Sequence, residues 1–514
     1  MSGSAATAGQ RPAAPAGGRA TLVATVLASS MVFVDSSVVN VALPALQADF
    51  GADLAGLQWV VEAYFLTLVA LMLTGGALGD RLGRRRVFLA GTVLFAAASL
   101  ACALAPTVEA LIAARAAQGA GGALLVPGSL ALIASVYAEA GRGRAIGTWS
   151  AASALTVSLA PLAGGWLIDT VGWRAVFWIN LPLAAAVVAV ARARVPESRD
   201  EDGAGPIDLP GTVLAALGLG ALVFGLVEGP RLGFASAPVL AALVAGSAGL
   251  AAFLAVQAKS ARPMMPLGLF ADRAFATVNA ATLLLYAGFG GALFLVPLHL
   301  MTVLGFSALA AGAALLPLAV LIALMSRRTG AVVDRWGARL PLTIGPLVTG
   351  AGLALLARPG LEATGWAGWA AGWLPAVAVM GVGMGITVAP LTTAVMNAAP
   401  RSKAGIASGI NNALSRVAFL LAIALLGVLA TAVFRAALPP EAAAALGAEV
   451  LKLGAAVPRE SLPPADRAAL ADAIDQAALA AFRTAVLAAA GISAAAGLVA
   501  AVGLGPKGTN RAEP

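Results

Sequence analysis

Gly76-Ala77-Leu78-Gly79-Asp80-Arg81-Leu82-Gly83-Arg84-Arg85 is nearly repeated later in the chain as Gly330-Ala331-Val332-Val333-Asp334-Arg335-Trp336-Gly337-Ala338-Arg339. Each copy follows one strongly apolar segment and precedes another, so each reads as a charged, glycine-punctuated turn between two helices of membrane length. One copy in each half of the sequence marks an internal duplication. Clustered arginines favour the cytoplasmic face, which places both turns on the same side of a bilayer.

Composition agrees. The 514 residues are 60% hydrophobic and 11% charged, whereas soluble domains carry about 25% charged residues. Apolar runs of about 20 residues recur, the length that crosses a hydrocarbon core. The single cysteine, Cys102, lies inside such a run and excludes an intramolecular disulfide. The net charge of +8 sits in short turns rather than on one polar domain, which argues against a nucleic-acid partner. Residues 1–19 are rich in Gly, Ala and Pro and are expected to form a disordered cytoplasmic tail. The apolar run from Ala20 to Pro44 is too long for a cleaved signal peptide and carries Asp35 and Asn40.

Hydropathy predicts fourteen spans, near 20–43, 57–78, 87–105, 109–131, 144–167, 174–193, 209–228, 236–257, 275–300, 308–326, 340–357, 370–393, 405–433 and 483–504. The least regular are 144–167, interrupted by Pro161, and 209–228, which is short and glycine-rich. With a cytoplasmic N-terminus, the inside turns hold Arg81, Arg84 to Arg86, Arg142, Arg144, Arg192, Arg194, Arg199, Lys259, Arg262, Arg273, Arg327, Arg328, Arg335, Arg339, Arg401 and Lys403. The short outside turns hold only Arg174, Arg231 and Arg358. One miscounted helix would invert this bias downstream, so the pattern supports an even count with both termini cytoplasmic. The reading is an all-α polytopic membrane protein. Its parts are a six-helix half at 20–195, a linker with two extra helices at 196–260, a second six-helix half at 261–504 and a cytoplasmic tail at 505–514. The Ala-rich stretch 435–482, with interspersed charges, is expected outside the membrane as a loop with one or two short amphipathic helices.

Several motifs in order resemble the major facilitator superfamily, and specifically its fourteen-span drug:proton antiporter branch. The turn from Gly76 to Arg85 is similar to the superfamily signature between helices two and three, with Asp80, Gly83, Arg84 and Arg85 in register. Leu111-Ile112-Ala113-Ala114-Arg115-Ala116-Ala117-Gln118-Gly119 resembles the fourth-helix signature. The stretches Asp35 to Pro44, Gln58 to Tyr64 and Trp173 to Pro182 resemble motifs of the fourteen-span branch. The fifth-helix antiporter signature keeps Gly147, Pro161, Gly164 and Gly165, but Thr156 and Ala160 stand where glycines are usual, which predicts a stiffer kink. Arg416-Val417-Ala418-Phe419-Leu420-Leu421 replaces another glycine-rich stretch.

A charged residue inside a span costs a few kcal/mol at the helix centre and usually faces a cavity. Asp35, deep in the first span, can bind a proton or pair with a cationic substrate; the alternative is a structural hydrogen bond to Ser36, Ser37 or a neighbouring helix. Glu62 is either a second proton site or outer gate, or a carboxylate at a wet cavity mouth. Arg115 keeps its charge and cannot carry the proton. The resemblance implies that it couples protonation to conformation, the alternative being a buried structural ion pair. In the gate motif of Gly76, Asp80, Arg81, Gly83, Arg84 and Arg85, Asp80 is expected to cap a helix and to pair with arginines across the interface between halves, while Arg84, Arg85 and Arg86 fix topology and touch lipid headgroups. Gly330, Asp334, Arg335, Gly337 and Arg339 repeat that gate in the second half with fewer arginines. Arg416 needs a partner that the sequence does not identify, Glu228 reads as a turn residue, and His299 as a packing residue. The Gly381-x-Gly383-x-Gly385 run reads as close helix packing.

The resemblance implies export of a small hydrophobic or amphipathic compound by a cell-membrane monomer, with the proton as coupling ion and no cofactor. No phosphate-binding loop is present in the sequence, so ATP is not the expected energy source. An uptake carrier or uniporter and a non-transporting sensor or scaffold are the rival readings; few polar groups within the spans favour a greasy substrate.

Overall fold

A computed structural model describes residues 17–137, 139–199, 208–260, 263–358, 365–399, 404–446 and 467–505. Some side chains within these ranges, among them those of Gly147, Gly330, Asp334 and Arg335, lie outside the described residues. The chain forms α1 (Gly18–Phe50), α2 (Leu54–Leu82), α3 (Arg84–Ala103), α4 (Val108–Val136), α5 (Glu139–Thr170), α6 (Ala175–Trp178), α7 (Asn180–Arg194), α8 (Leu209–Leu232) and α9 (Ala237–Lys259). A 3-10 turn (Leu267–Ala271) follows. Then come α10 (Arg273–Thr302), α11 (Ala308–Ala314), α12 (Leu316–Trp336), α13 (Arg339–Leu355), α14 (Gly365–Asn397), α15 (Ala404–Ala437), α16 (Pro440–Leu446) and α17 (Arg467–Gly503). No strand occurs among the described residues.

Twelve of the described helical segments are long and apolar enough to cross a membrane. The expected segments 144–167 and 340–357 fall on α5 and α13, which are helices without being among those twelve. The helix of 174–193 breaks at Ile179, and that of 308–326 breaks at Leu315. Pro161 does not interrupt α5, because membrane helices tolerate proline where neighbours re-satisfy the backbone. The last long helix begins at Arg467, so Arg467 to Phe482 belongs to it and not to a separate loop helix; α16 is the one short helix described within 435–482. Alanine propagates a helix well, and Leu470, Ile474, Ala477 and Ala481 give α17 a buried face there.

The repeated turn is reproduced in backbone geometry. Gly83 and Gly337, equivalent positions of the two copies, have φ of 109° and 77° and end α2 and α12. A side chain is strained in that region, so each copy needs its glycine. The start of α1, the end of α17 and both turns lie at one end of the bundle, called here the basic end. There the carbonyls of Val502 and Ala501 accept from Arg273 and Arg339, and a Cβ on Gly17 would press on the Arg194 carbonyl and the Pro196 ring.

Close crossings rest on small residues, as expected where no water drives helices together. A Cβ on Gly119 would strike the Tyr64 carbonyl, and one on Gly121 would strike the backbone of Phe95, which fixes α4 against α2 and α3. Gly381, Gly383 and Gly385 do the same for α14 against α12 and α13. Between the halves, α8 packs on α2 and α15, while α9 packs on α8 and leaves most of its surface outward. Leu217, Val244 and Val502 face outward too, an apolar belt that suits lipid.

Candidate functional site

The centre of the first half holds a buried polar network among apolar neighbours. Asp35 of α1 is 0% exposed and Arg115 of α4 is 1% exposed, and the two form an ion pair. One turn along α4, on the same helix face, Gln118 donates to the other Asp35 oxygen at 2.7 Å and to Ser99 Oγ of α3 at 2.8 Å. Gln118 Oε1 in turn accepts from Arg115, and Asn180 of α7 donates to Ser99 Oγ at 3.3 Å. Arg115 Nε donates to the Val60 carbonyl of α2 at 3.0 Å, and its guanidinium carbon lies 4.2 Å from the Tyr64 ring centroid. Both Asp35 oxygens are thus satisfied, and the guanidinium is neutralised, hydrogen-bonded and stacked. Gathering partners from α1, α2, α3, α4 and α7 makes this network sensitive to any relative movement of those helices. A proton arriving on Asp35 cancels the charge that holds Arg115, so the pair can convert protonation into a rearrangement.

Three faces of α2 meet three neighbours. Val60 and Tyr64 face α4, and Trp59 donates to Glu228 of α8 at 2.9 Å. Gln58, Glu62 and Phe65 share the remaining face by helical spacing. Gln58 Nε2 donates to the Ile423 carbonyl of α15 at 2.7 Å, and the Phe65 ring lies 6.0 Å from that of Phe419. Glu62 is 0% exposed between them, and neither carboxyl oxygen has a hydrogen-bond partner. It does not sit at a wet mouth. Glu228 also pairs with Arg231, in keeping with a turn role, and His299 stacks 4.0 Å from the Phe482 ring.

The halves also meet at the end opposite the basic end. Asp169 closes α5 and accepts from the backbone N–H groups of Ala308 (3.1 Å) and Leu309 (2.8 Å) at the start of α11. A Cβ on Gly165 would strike the Ala308 carbonyl, one on Gly312 would strike the Pro161 carbonyl, and one on Gly164 would strike Val38. Of the antiporter-signature residues, Pro161, Gly164 and Gly165 therefore line a close crossing of α5 with α1 and α11, while Gly147 lies outside the described side chains. Thr156, where glycine is usual, places its hydroxyl 3.1 Å from Ser30 Oγ. Phe419, another replacement, fills the space over Gly290.

At the basic end, Asp80 pairs with Arg84 in its own turn at 2.8 Å and not across the halves as expected. The i,i+4 spacing puts the Arg84 guanidinium on the same helix face one turn away. A strap after α7 clasps the same turn: Ser198 O accepts from Arg84 N at 2.8 Å, Val195 O from Arg85 at 3.0 Å, and Glu197 Oε1 from Arg85 N at 2.9 Å. Glu197 also lies 3.7 Å from Arg85 and Arg86 Nε. Arg81 is exposed and Gly76 sits against Pro127. In the second copy Gly330, Asp334 and Arg335 are outside the described side chains, while Arg339 bonds Ala501.

The profile described as Major Facilitator Superfamily matches residues 25–423. The chain belongs to the major facilitator superfamily. It is therefore a multi-pass membrane protein of a transporter family, whose members are not enzymes. The multidrug resistance protein Stp of Mycobacterium tuberculosis (strain ATCC 25618 / H37Rv) is 36% identical over 421 residues, 82% of this chain and 77% of that protein. The tetracenomycin C resistance and export protein of Streptomyces glaucescens is 33% identical over 409 residues, 80% and 75% of the two chains. Among solved folds, an inward-facing, occupied bacterial homolog of the human lysosomal transporter Spinster superposes with a TM-score of 0.65 at 17% identity, covering 96% of this chain and 97% of that one.

Sequence reasoning missed Gln118 and Asp169. Gln118 was legible in principle from its i+3 spacing to Arg115. Asp169 carried no local signal, because its partners lie in the other half. Replacing Asp169 with alanine removes two hydrogen bonds to a charged acceptor, each worth about 1.5–3 kcal/mol. Cysteine introduced at Ala308 should then react roughly a hundredfold faster with an impermeant maleimide. An unchanged rate would deny Asp169 any latching role.

Proposed function

We propose that this chain exports hydrophobic or amphipathic drugs or antibiotics across the cell membrane by alternating access, driven by protons moving inward. The relatives are named as resistance and export proteins. The single observation that carries the coupling is the buried Asp35–Arg115 pair held by Gln118, a titratable group locked to a permanent cation at the meeting point of five helices. Fourteen spans with both termini cytoplasmic suit the lysine and arginine bias, and the basic end is then cytoplasmic. The Asp169 and Gln58 contacts between halves draw the far ends together, so this conformation is closed at the end opposite the cytoplasm. A proton entering from outside reaches Asp35 or Glu62, the halves rock, and proton release and drug binding compete on the inner side. The transporter works as a monomer in lipid, with no cofactor beyond the coupling proton.

The test is efflux of a lipophilic dye such as rhodamine 6G from proteoliposomes with an imposed pH gradient. Dye should move against its gradient and stop when an ionophore collapses the pH difference. Equal movement with and without the gradient would replace antiport by facilitated diffusion.

A further inference from the structure

Two ionisable groups stand without polar partners on helices that pack together from opposite halves. Glu62 of α2 is fully buried with both carboxyl oxygens unbonded. Arg416 of α15 is half-buried and makes no ion pair or hydrogen bond among the described residues. Its electrostatic neighbours are the phenols of Tyr64 and Tyr286, and neither supplies a full charge. A buried carboxyl group with no partner must hold a proton or gain a cation, and a guanidinium in a membrane interior needs an anion.

The helices run antiparallel, and the aromatic pair Phe65–Phe419 fixes their register at 6.0 Å between centroids. Glu62 lies three residues from Phe65 toward the end opposite the basic end, and Arg416 lies three residues from Phe419 toward the basic end. At 1.5 Å per residue this separates them along the bundle by roughly 9 Å, with the two rings between. Rings and an arginine side chain change rotamer far more readily than helices move.

Other charged or titratable groups around Glu62 are committed. Arg115 of α4 and Asp35 of α1 hold each other. Glu228 of α8 bonds Trp59 and Arg231. Cys102 of α3 lies against Gln118, Tyr64 of α2 donates to the Val32 carbonyl, and Tyr286 of α10 packs on Phe419. Among the described residues, Arg416 is the one cation facing this region that is free to move.

We propose that Arg416 is the alternating partner of Glu62, a positioning residue that takes over the carboxylate when the proton leaves. The inference rests on the proton-coupled reading above. In the step itself, the carboxyl O–H bond breaks, its electron pair stays on oxygen, and the proton passes to water at the basic end. The carboxylate then accepts N–H bonds from the guanidinium once the Phe65–Phe419 pair parts. Proton loss thereby ties α2 of the first half to α15 of the second, and proton arrival from the other side releases them.

The experiment is a double-mutant cycle on gradient-driven rhodamine 6G efflux, with Glu62→Gln, Arg416→Gln, the double variant and Arg416→Lys. Each glutamine variant should lose roughly tenfold or more of the gradient response, the double should be no worse than either single, and Arg416→Lys should recover most of it. Losses that multiply, or an Arg416→Gln protein that responds like wild type, would overturn the pairing. Independently, a Glu62→Cys/Arg416→Cys protein carrying Cys102→Ser should cross-link in membranes with a short bifunctional thiol reagent, and should do so far more than detergent-unfolded controls. Absence of cross-linking at every pH would also overturn it. A wild-type protein indifferent to the gradient would end the antiport reading instead, while the cross-link still decides whether the two positions meet.

Discussion

Asp35→Asn abolishes gradient-driven efflux and leaves a folded but weakened protein. Asparagine preserves the shape of the site and can still accept from Gln118, but it carries no charge and exchanges no proton. Arg115 is then a buried cation facing a neutral amide, a situation that costs about 3–5 kcal/mol when one member of a buried pair is removed. Thermal unfolding in detergent should report that loss. Adding Arg115→Gln should restore most of the stability, because removing both charges removes the uncompensated one, while efflux stays uncoupled. Undiminished gradient-driven efflux in Asp35→Asn would remove Asp35 from the coupling mechanism, whatever its effect on stability.

Gly165→Val has the second large effect, and it acts through shape. Its Cβ would occupy the place of the Ala308 carbonyl, and the obstacle is backbone at the head of a helix whose N–H groups are tied to Asp169. Overpacking of this kind costs about 1–3 kcal/mol, here charged only to the conformation in which α5 and α11 touch. The equilibrium should therefore shift roughly tenfold or more toward the state open at that end. A Gln58→Cys/Ile423→Cys pair, built where the Gln58 side chain reaches the Ile423 carbonyl at 2.7 Å, should be joined by a short bifunctional thiol reagent readily in the parent and poorly with Gly165→Val. Equal cross-linking yield would show that the crossing does not govern closure.

The distribution of apolar runs made the helices readable, because a bilayer demands about 20 apolar residues per crossing whatever the tertiary context. The duplicated turn was readable for a similar reason: Gly83 and Gly337 satisfy a local backbone requirement. Charges inside spans pointed to Asp35, Glu62 and Arg115, since each is costly alone. Their partners were less legible. The choice of Arg115 for Asp35 depends on how α1 leans on α4, and that of Arg84 for Asp80 on one turn of local helix geometry. Asp169 reads as an ordinary polar helix end until the other half is placed against it. The start of α17 was misread because its first turns mix charges with alanine, a composition equally suited to a surface helix and to the buried face formed by Leu470 and Ile474.

The clasp at the basic end has a consequence for the way the molecule bends. Beyond that clasp, the described connecting helices are also stitched to the leading six: Thr74 bonds Thr212 at 2.6 Å, Asp208 and Gln257 are joined, and Gln257 accepts from Met265 N at 3.0 Å. Two residues later the backbone enters the turn whose Phe270 packs 5.1 Å from Phe275 of α10, so it already rides with the trailing six. The fulcrum of any rocking movement thus narrows to Pro266, with φ of −64° and ψ of 100°. A ring-locked φ leaves ψ as the main freedom there, so the pivot behaves as a hinge with one axis rather than a loose tether.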